Sequence, residues 1–131
     1  MKRHQFAAAL LLALTGCAQP GSQIATVDIA RIQANWPKFI NYHNQLASDA
    51  EAIQRSSGSP RQKQQELAAL NSRMISMQNE ITGDLTGAAQ QVANSRHFNL
   101  IVTRQYVGYG GVDITSDIEK ILKITESSPA P

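Results

Sequence analysis

The sequence predicts an α+β protein with a small β-sheet body, an inserted long antiparallel α-helical hairpin and a C-terminal helix. One observation is the stretch Pro60–His97, which has no internal proline and repeats an apolar residue every three or four positions. A second is a rougher repeat of the same period over residues 37–56, separated from the first by Ser56–Pro60. The third is that short β-branched runs lie on either side. We therefore expect a hairpin at about residues 36–97, inserted between strands.

The beginning of the chain resembles a lipoprotein signal peptide. Lys2 and Arg3 precede the apolar run Phe6–Leu14, which is too short to span a membrane as a mature helix. The run leads into Leu-Thr-Gly-Cys17, which resembles the bacterial lipobox, where a peptidase cuts before a cysteine that carries a diacylglyceryl group. An ordinary secretory peptide with a chance cysteine is the alternative interpretation.

A lipid anchor would fix the location of the protein. We expect residues 1–16 to be removed, with Cys17 as the lipidated first residue and a tether up to residue 23. Because each buried methylene contributes roughly 0.8 kcal/mol, several acyl chains would hold the chain on a membrane. Resemblance to lipoproteins of two-membrane bacteria implies, from Ala18 in place of aspartate, an outer-membrane location facing the periplasm. Cys17 is the only cysteine, which excludes a disulfide within the chain.

Loss of the signal peptide also removes the basic charge balance. The full sequence has 12 Lys and Arg residues against 10 Asp and Glu residues. Without Lys2 and Arg3, the side chains of the mature protein sum to no net charge. The sequence therefore supports no nucleic-acid partner.

The first elements after the tether are a strand and a short helix. Ile24–Ile29 is apolar and β-branched, which predicts a strand. Asp28 lies near its end, where a carboxylate can accept backbone N–H bonds from the following turn. One helical turn is expected over Ala30–Asn35. Pro37 then suits the first turn of the long helix, because its missing N–H would have no intrahelical partner there.

The two arms of the hairpin are expected to be unequal. Residues 37–56 would form a helix of roughly 30 Å and residues 60–96 one of about 55 Å, so the end of the second arm must pack on the sheet. Gly83 and Gly87 each cost about 1 kcal/mol relative to alanine in a helix interior, which indicates either a bend or a straight but less stable helix. The residues predicted to form the seam of the second arm are Leu67, Leu70, Met74, Met77 and Ile81.

The period changes from 3.6 to 2 after the second arm. Phe98–Thr103 predicts a buried strand, Gln105–Tyr109 predicts another strand, and Gly110-Gly111 predicts a turn.

The last predicted element is a helix that Thr115 or Ser116 would cap. Ser116 and Glu119 have the spacing of a capping box. Its inner face would carry Ile118, Ile121 and Leu122, and residues 125–131 would form a flexible tail.

Both ends of the mature chain resemble the Skp/OmpH family of periplasmic chaperones. Ile24–Ile32, with the sequence IATVDIARI, resembles the family's opening strand, which ends in Val-Asp. Phe98–Val102 resembles its second strand. Tyr109, followed by the Asp-Ile-Thr of residues 113–115 and the segment to Leu122, resembles its tyrosine, Asp-Ile-Thr and final helix.

This resemblance implies a homotrimer whose β body is shared between subunits and whose hairpins project as arms around a cavity. Unfolded outer-membrane proteins would be held in that cavity without ATP and without another cofactor. The chain departs from the family pattern because it is lipid-anchored, neutral and short-armed.

A basic cluster surrounds the predicted hairpin tip. Arg55, Arg61 and Lys63 lie in a segment without acidic residues between Glu51 and Glu66. These cations are candidates for contact with anionic lipid headgroups or acidic client segments. The alternative is a solvated turn between charged helix ends.

Two methionines are candidates for client contact. Met74 and Met77 are flexible and polarizable, so they suit an apolar surface that adapts to varied clients. The alternative is that they fill the seam of the hairpin against Leu46 and Ile53.

The sequence contains no catalytic constellation and no metal-ligand spacing. His43 and His97 lie on separate arms of the predicted hairpin and are interpreted as surface residues. We therefore predict a binding protein and not an enzyme. The first hypothesis is a Skp-like holdase, and the alternative is a scaffolding envelope lipoprotein that docks one folded partner.

Overall fold

The computed structural model describes residues 23–125, a mixed and mainly helical fold with four helices and a three-stranded sheet. The predicted signal peptide, Cys17 and most of the predicted tail lie outside these residues. The elements in chain order are β1 (Ile24–Val27), α1 (Ile29–Asn35), α2 (Pro37–Arg55), α3 (Pro60–Arg96), β2 (Leu100–Thr103), a 3-10 turn (Arg104–Tyr106), β3 (Val112–Asp113) and α4 (Thr115–Ile121).

The three strands form a small parallel sheet with β1 at its centre, in the order β2-β1-β3. Ile24 pairs with Leu100 at the start of both strands, and Ala25 pairs with Val112 on the other side. Because parallel strands require a crossover connection, the three helices α1 to α3 lie between β1 and β2 in the chain.

The strand predicted at Gln105–Tyr109 is wrong. The chain instead turns after β2, where Val107 N donates to Arg104 O at 3.0 Å. It returns to β1 through Gly110 and Gly111, whose φ angles of 92° and 85° favour glycine. A Cβ at Gly111 would lie 2.6 Å from Thr26 Cγ2. Only glycine therefore allows the loop to approach β1 closely enough for β3 to pair with it.

The hydrophobic core lies between one face of the sheet and the helices. Ala25 and Val27 point into it from β1, since alternate residues of a strand share a face. The remaining buried apolar residues are Ile32, Trp36, Ala88, Val92, Phe98, Ile114, Ile118 and Ile124. We call the sheet, α1, α4 and the last part of α3, from Ala88 onwards, the body.

Helices α2 and α3 begin and end at recognisable signals. Pro37 and Pro60 each occupy the first turn of a helix, and Ser59 caps α3 by accepting from Gln62 N at 3.3 Å. His97 ends α3 in a left-handed conformation with φ 58°. Between these caps α3 continues without interruption through both of its interior glycines.

Contacts between α2 and α3 involve earlier residues of α3 as one moves along α2. Lys38 contacts Asp84, Tyr42 contacts Glu80, and Asp49 contacts Arg73. No residue of α2 is fully buried. The predicted seam needs a correction at Leu67, which is exposed on α3, whereas Leu70, Met77 and Ile81 are half-buried. Met74 is also exposed.

The start of α4 differs from the predicted cap. Neither Thr115 nor Ser116 caps the helix, because it begins at Thr115 and Ile114 occupies the capping position without a side-chain hydrogen bond. Asp113 Oδ1 accepts from both Thr115 N and Thr115 Oγ, at 2.9 and 2.5 Å. Glu119 is drawn away from the predicted capping box because it pairs with Arg31.

Candidate functional site

The two segments that carry the family resemblance lie against each other in the body. Asp28 N donates to Thr115 Oγ at 2.9 Å, and Ile114 N donates to Thr26 O at 2.9 Å. Asp28 Oδ1 accepts from Arg31 N, as the sequence predicts for a carboxylate at the end of this strand. These bonds join the end of β1 to the start of α4, so the Asp-Ile-Thr segment has a structural role in this chain.

An ion pair with a nearly buried carboxylate links α1 to α4 beside this junction. Arg31 Nη2 lies 2.7 Å from Glu119 Oε2, and the Glu119 residue is only 2% exposed. Arg31 also donates to Ser116 Oγ at 3.2 Å. Sequence analysis missed this pair, since the two residues are 88 positions apart and no local pattern joins them.

Asp113 is held in its charged form at the same junction. Burial raises the pKa of its carboxyl group, but the hydroxyl and the backbone N–H of Thr115, with the nearby Arg104 guanidinium, lower the pKa below the ordinary value. An aspartate that accepts the N–H two residues later is a common turn signal, so the sequence contained the information needed to find this bond.

The candidate client-binding surface is a groove between α2 and α3. We call it the methionine groove; it has a volume of about 340 Å³ and contains both predicted methionines. Met77 is half-buried there and Met74 is exposed at 45%. The groove is lined by Gln33, Phe39, Tyr42, His43, Leu46, Met74, Met77, Gln78, Ile81 and Thr82.

The methionine groove is part of a seam that stays open along its length. Ile53, predicted to contact the methionines, instead lines a second cavity of about 310 Å³ nearer the tip, together with Leu70. Leu67, about half exposed, lies two turns before Met74 on the same face of α3, and Ile75, also about half exposed, lies on an adjoining face. The α2–α3 pair therefore leaves much apolar surface in contact with solvent.

A polar cluster joins α2 to α3 on the body side of the methionine groove. Lys38 Nζ lies 2.5 Å from Glu80 Oε1 and 2.6 Å from Asp84 Oδ2, and Tyr42 Oη donates to Glu80 Oε2 at 2.8 Å. Hydrogen bonds to Asp84 and Glu80 raise the pKa of Lys38, and the bond to Glu80 raises that of Tyr42. The bonds from Lys38 and Tyr42 lower the pKa of Glu80.

The predicted basic tip is partly neutralised by local contacts. Arg55 pairs with Glu51 one helical turn earlier, and Lys63 Nζ donates to Gln54 O at 3.1 Å. Within the described residues Arg61 has no such partner and is exposed. The structure thus brings the three cations to one turn, with Arg61 the most available of them.

Both edge strands of the sheet, β2 and β3, lack an outer strand partner within the described residues, and an apolar groove lies beside the β2 edge. The adjoining groove, which we call the edge groove, has a volume of about 440 Å³. It is lined by Val27, Ile29, Leu85, Thr86, Ala89, Gln90, Ala93, Phe98, Asn99, Leu100, Ile101, Thr103 and Ile118.

The described residues contain no group of three potential metal ligands. His43 and His97 are exposed, and His43 stacks on Phe39 with ring centroids 6.5 Å apart.

Across residues 23–125, no helix combines the length and the apolar character that crossing a membrane requires. Comparison with protein-family models, with curated proteins and with solved structures found no match.

Proposed function

We propose that this protein is a lipid-anchored, Skp-like holdase that binds unfolded outer-membrane proteins at the periplasmic face of the outer membrane. In this proposal α2 and α3 form an antiparallel hairpin that projects from an α+β body. Cys17 carries the lipid. The activity is binding without turnover, so it needs neither ATP nor a cofactor.

The observation that carries this proposal is the open apolar seam of the α2–α3 pair. No residue of α2 is fully buried, although both helices carry apolar stripes. Such a seam offers many weak apolar contacts, and methionine adapts to different partner shapes. Several arms acting together would raise the affinity for one client without requiring one client sequence.

The open β2 edge of the sheet supports the proposed homotrimer. A strand from a partner subunit that paired with β2 would satisfy the backbone groups of this edge. Its side chains would enter the edge groove beside Leu85, Ala89 and Ile101. The shared β body implied by the family resemblance would be built in this way.

A scaffolding lipoprotein remains the second candidate, and the length of the arm favours it. Helix α2 has 19 residues, or roughly 28 Å at 1.5 Å per residue. Much of the rest of α3 packs on the body through Ala88 and Val92. An arm of this length encloses a small volume, which suits one folded partner better than a large unfolded client.

The first experiment is the solution mass of residues 18–131, made without the lipid, over a concentration series. We expect a stable trimer that suppresses the aggregation of several unrelated unfolded outer-membrane proteins. A monomer at every concentration would contradict encapsulation and favour the scaffold.

A pair of variants tests whether the seam is the binding surface. Met74→Ser should reduce aggregation suppression several-fold, because it removes apolar surface at the methionine groove. Gln65→Ser, at an exposed polar position of the same helix, is the matched control and should leave suppression unchanged. Equal activity of both variants would exclude the methionine groove as the site.

A further inference from the structure

The outer face of the sheet carries apolar residues that no other part of the described chain covers. Ile24 and Leu100 are paired neighbours, 43% and 52% exposed. Both alternate with residues of the core face, since Ala25 is fully buried next to Ile24. They therefore lie together on the side of the sheet opposite the helices.

The loop between β2 and β3 carries two exposed tyrosines, of which Tyr106 follows the far end of β2 and Tyr109 comes two residues before Gly111. Tyr106 is 78% exposed and Tyr109 is fully exposed. The loop returns against the outer face at Gly111, next to the Thr26 side chain, which shares that face with Ile24. We call Ile24, Leu100 and Tyr109 the outer patch.

The position of the outer patch follows from the way the chain enters the sheet. Parallel strands start at the same end, so Ile24 and Leu100 mark the end at which the chain arrives from Cys17. Seven residue steps separate Cys17 from Ile24, and a fully extended chain of that length spans at most about 25 Å. A lipid on Cys17 would therefore hold this end of the sheet close to the membrane surface.

From this placement we propose that the outer patch rests on the membrane that holds the lipid anchor, with its side chains at the boundary between headgroups and acyl chains. This inference depends on the lipid anchor of the proposed function. Tyrosine suits that boundary because its ring is apolar and its hydroxyl is polar. The tether makes the contact intramolecular, so a small apolar area is sufficient.

The contact is apolar in character. Arg104, in the loop of the outer patch, is paired with Asp113 at 2.8 Å. It therefore offers little free charge to anionic lipids, and we expect the contact to be insensitive to salt and to headgroup charge. The tip containing Arg61 lies roughly 28 Å along α2 from Trp36 in the core, and a contact made there would weaken with salt.

The test uses the processed, lipidated full protein in phospholipid vesicles with brominated acyl chains, which quench nearby tryptophan. Flotation first establishes that the protein is on the vesicles. Tyr109→Trp places a probe in the outer patch, and Gln65→Trp places a control probe on α3 towards the tip. Trp36 is buried and contributes the same background to both variants.

We expect emission from Tyr109→Trp to be quenched several-fold more than emission from Gln65→Trp, equally at low and high salt. Floating protein with no quenching of Tyr109→Trp would overturn the inference and leave the anchor intact. Emission protected only as protein concentration rises would show that a second copy covers the patch, which also overturns it. Stronger, salt-sensitive quenching of Gln65→Trp would assign the contact to the tip. Failure to float would instead contradict the lipid anchor, and the inference would fall with it.

Discussion

The body and the α2–α3 pair contain similar apolar residues but bury them to different extents. In the body, Ile32, Ile114 and Ile118 are fully buried between the sheet and the helices. In the α2–α3 pair, Leu67, Met74 and Ile75 remain about half exposed. The body therefore buries the apolar residues that stabilise the fold, whereas the α2–α3 pair leaves several of its apolar residues in contact with solvent.

The ion pairs of the two regions also differ in how far they are buried. In the body, the carboxylate of the Arg31–Glu119 pair is nearly buried, and it must keep its partner because a lone buried carboxylate is costly. The α2–α3 pair has exposed ion pairs such as Lys38–Asp84, which contribute little individually. Because α2 and α3 are joined by weak polar contacts and their apolar seam is open, the two helices can separate locally while the body stays folded.

The largest test of this comparison truncates one isoleucine and one leucine. Ile118→Ala should lower the free energy of unfolding by about 3 kcal/mol, because it leaves a cavity in a fully buried site. Leu67→Ala, the matched control on α3, should change it by less than about 0.5 kcal/mol, since that side chain is exposed. Urea unfolding followed by circular dichroism measures both, and similar losses would refute the comparison.

The second test replaces a carboxylate in each region. Glu119→Gln should cost about 2 kcal/mol, since the buried site loses the charged partner of Arg31 while its shape is kept. Glu51→Gln breaks the exposed pair with Arg55 and should cost roughly 0.5 kcal/mol or less. The same urea experiment compares them, and an equal effect would mean that burial of Glu119 adds nothing to its pair.

Predictability from sequence also differs between the regions. The ends of α2 and α3 follow from local signals, namely Pro37, the Ser59-Pro60 pair and the change of period at His97. The inward face of α3 is less predictable, because Leu67 follows the same apolar repeat as Leu70 and is nevertheless exposed.

The parts of the body that sequence analysis missed depend on distant contacts. The third strand lies at Val112–Asp113 because the loop must return to β1 through Gly111, and no local propensity encodes that pairing. Glu119 has the spacing of a capping box, yet its buried carboxylate pairs instead with Arg31 of α1. Sequence analysis named Met74 and Met77 as candidates for the binding surface, but it did not predict that the groove around them is open to solvent.

The third test is the pH dependence of stability. Acid should destabilise both the body and the α2–α3 pair, whereas alkali should destabilise only the α2–α3 pair. Asp113 in the body and Glu80 in the pair both have lowered pKa values. Their stabilisation is present above their ordinary values of 3.8 and 4.5 and is lost as the pH falls through the lower folded-state values. Lys38 and Tyr42 have raised pKa values, so their contribution is present below 10.5 and 10.0 and is lost at higher pH.

Thermal unfolding at a series of pH values checks this expectation. Asp113→Asn and Glu80→Gln should each flatten part of the acid loss, whereas only Glu80→Gln should alter the alkaline limb. An alkaline limb unchanged by Glu80→Gln would show that the bonds of Glu80 to Lys38 and Tyr42 do not stabilise the α2–α3 pair.

The smallest expected effect concerns Gly87 of α3. A Cβ at Gly87 would meet no atom within 4 Å, so Gly87→Ala fits the existing helix and should stabilise it by about 0.5–1 kcal/mol. Gly111→Ala is the contrasting control and should destabilise the protein, because the φ angle of Gly111 is positive and Thr26 blocks the added methyl group.

The decisive readout is aggregation suppression measured beside stability. If α3 bends at this position to admit a client, Gly87→Ala should raise stability and lower suppression together. If suppression is unchanged while stability rises, α3 acts as a straight arm, and adaptation to clients comes from the open seam alone.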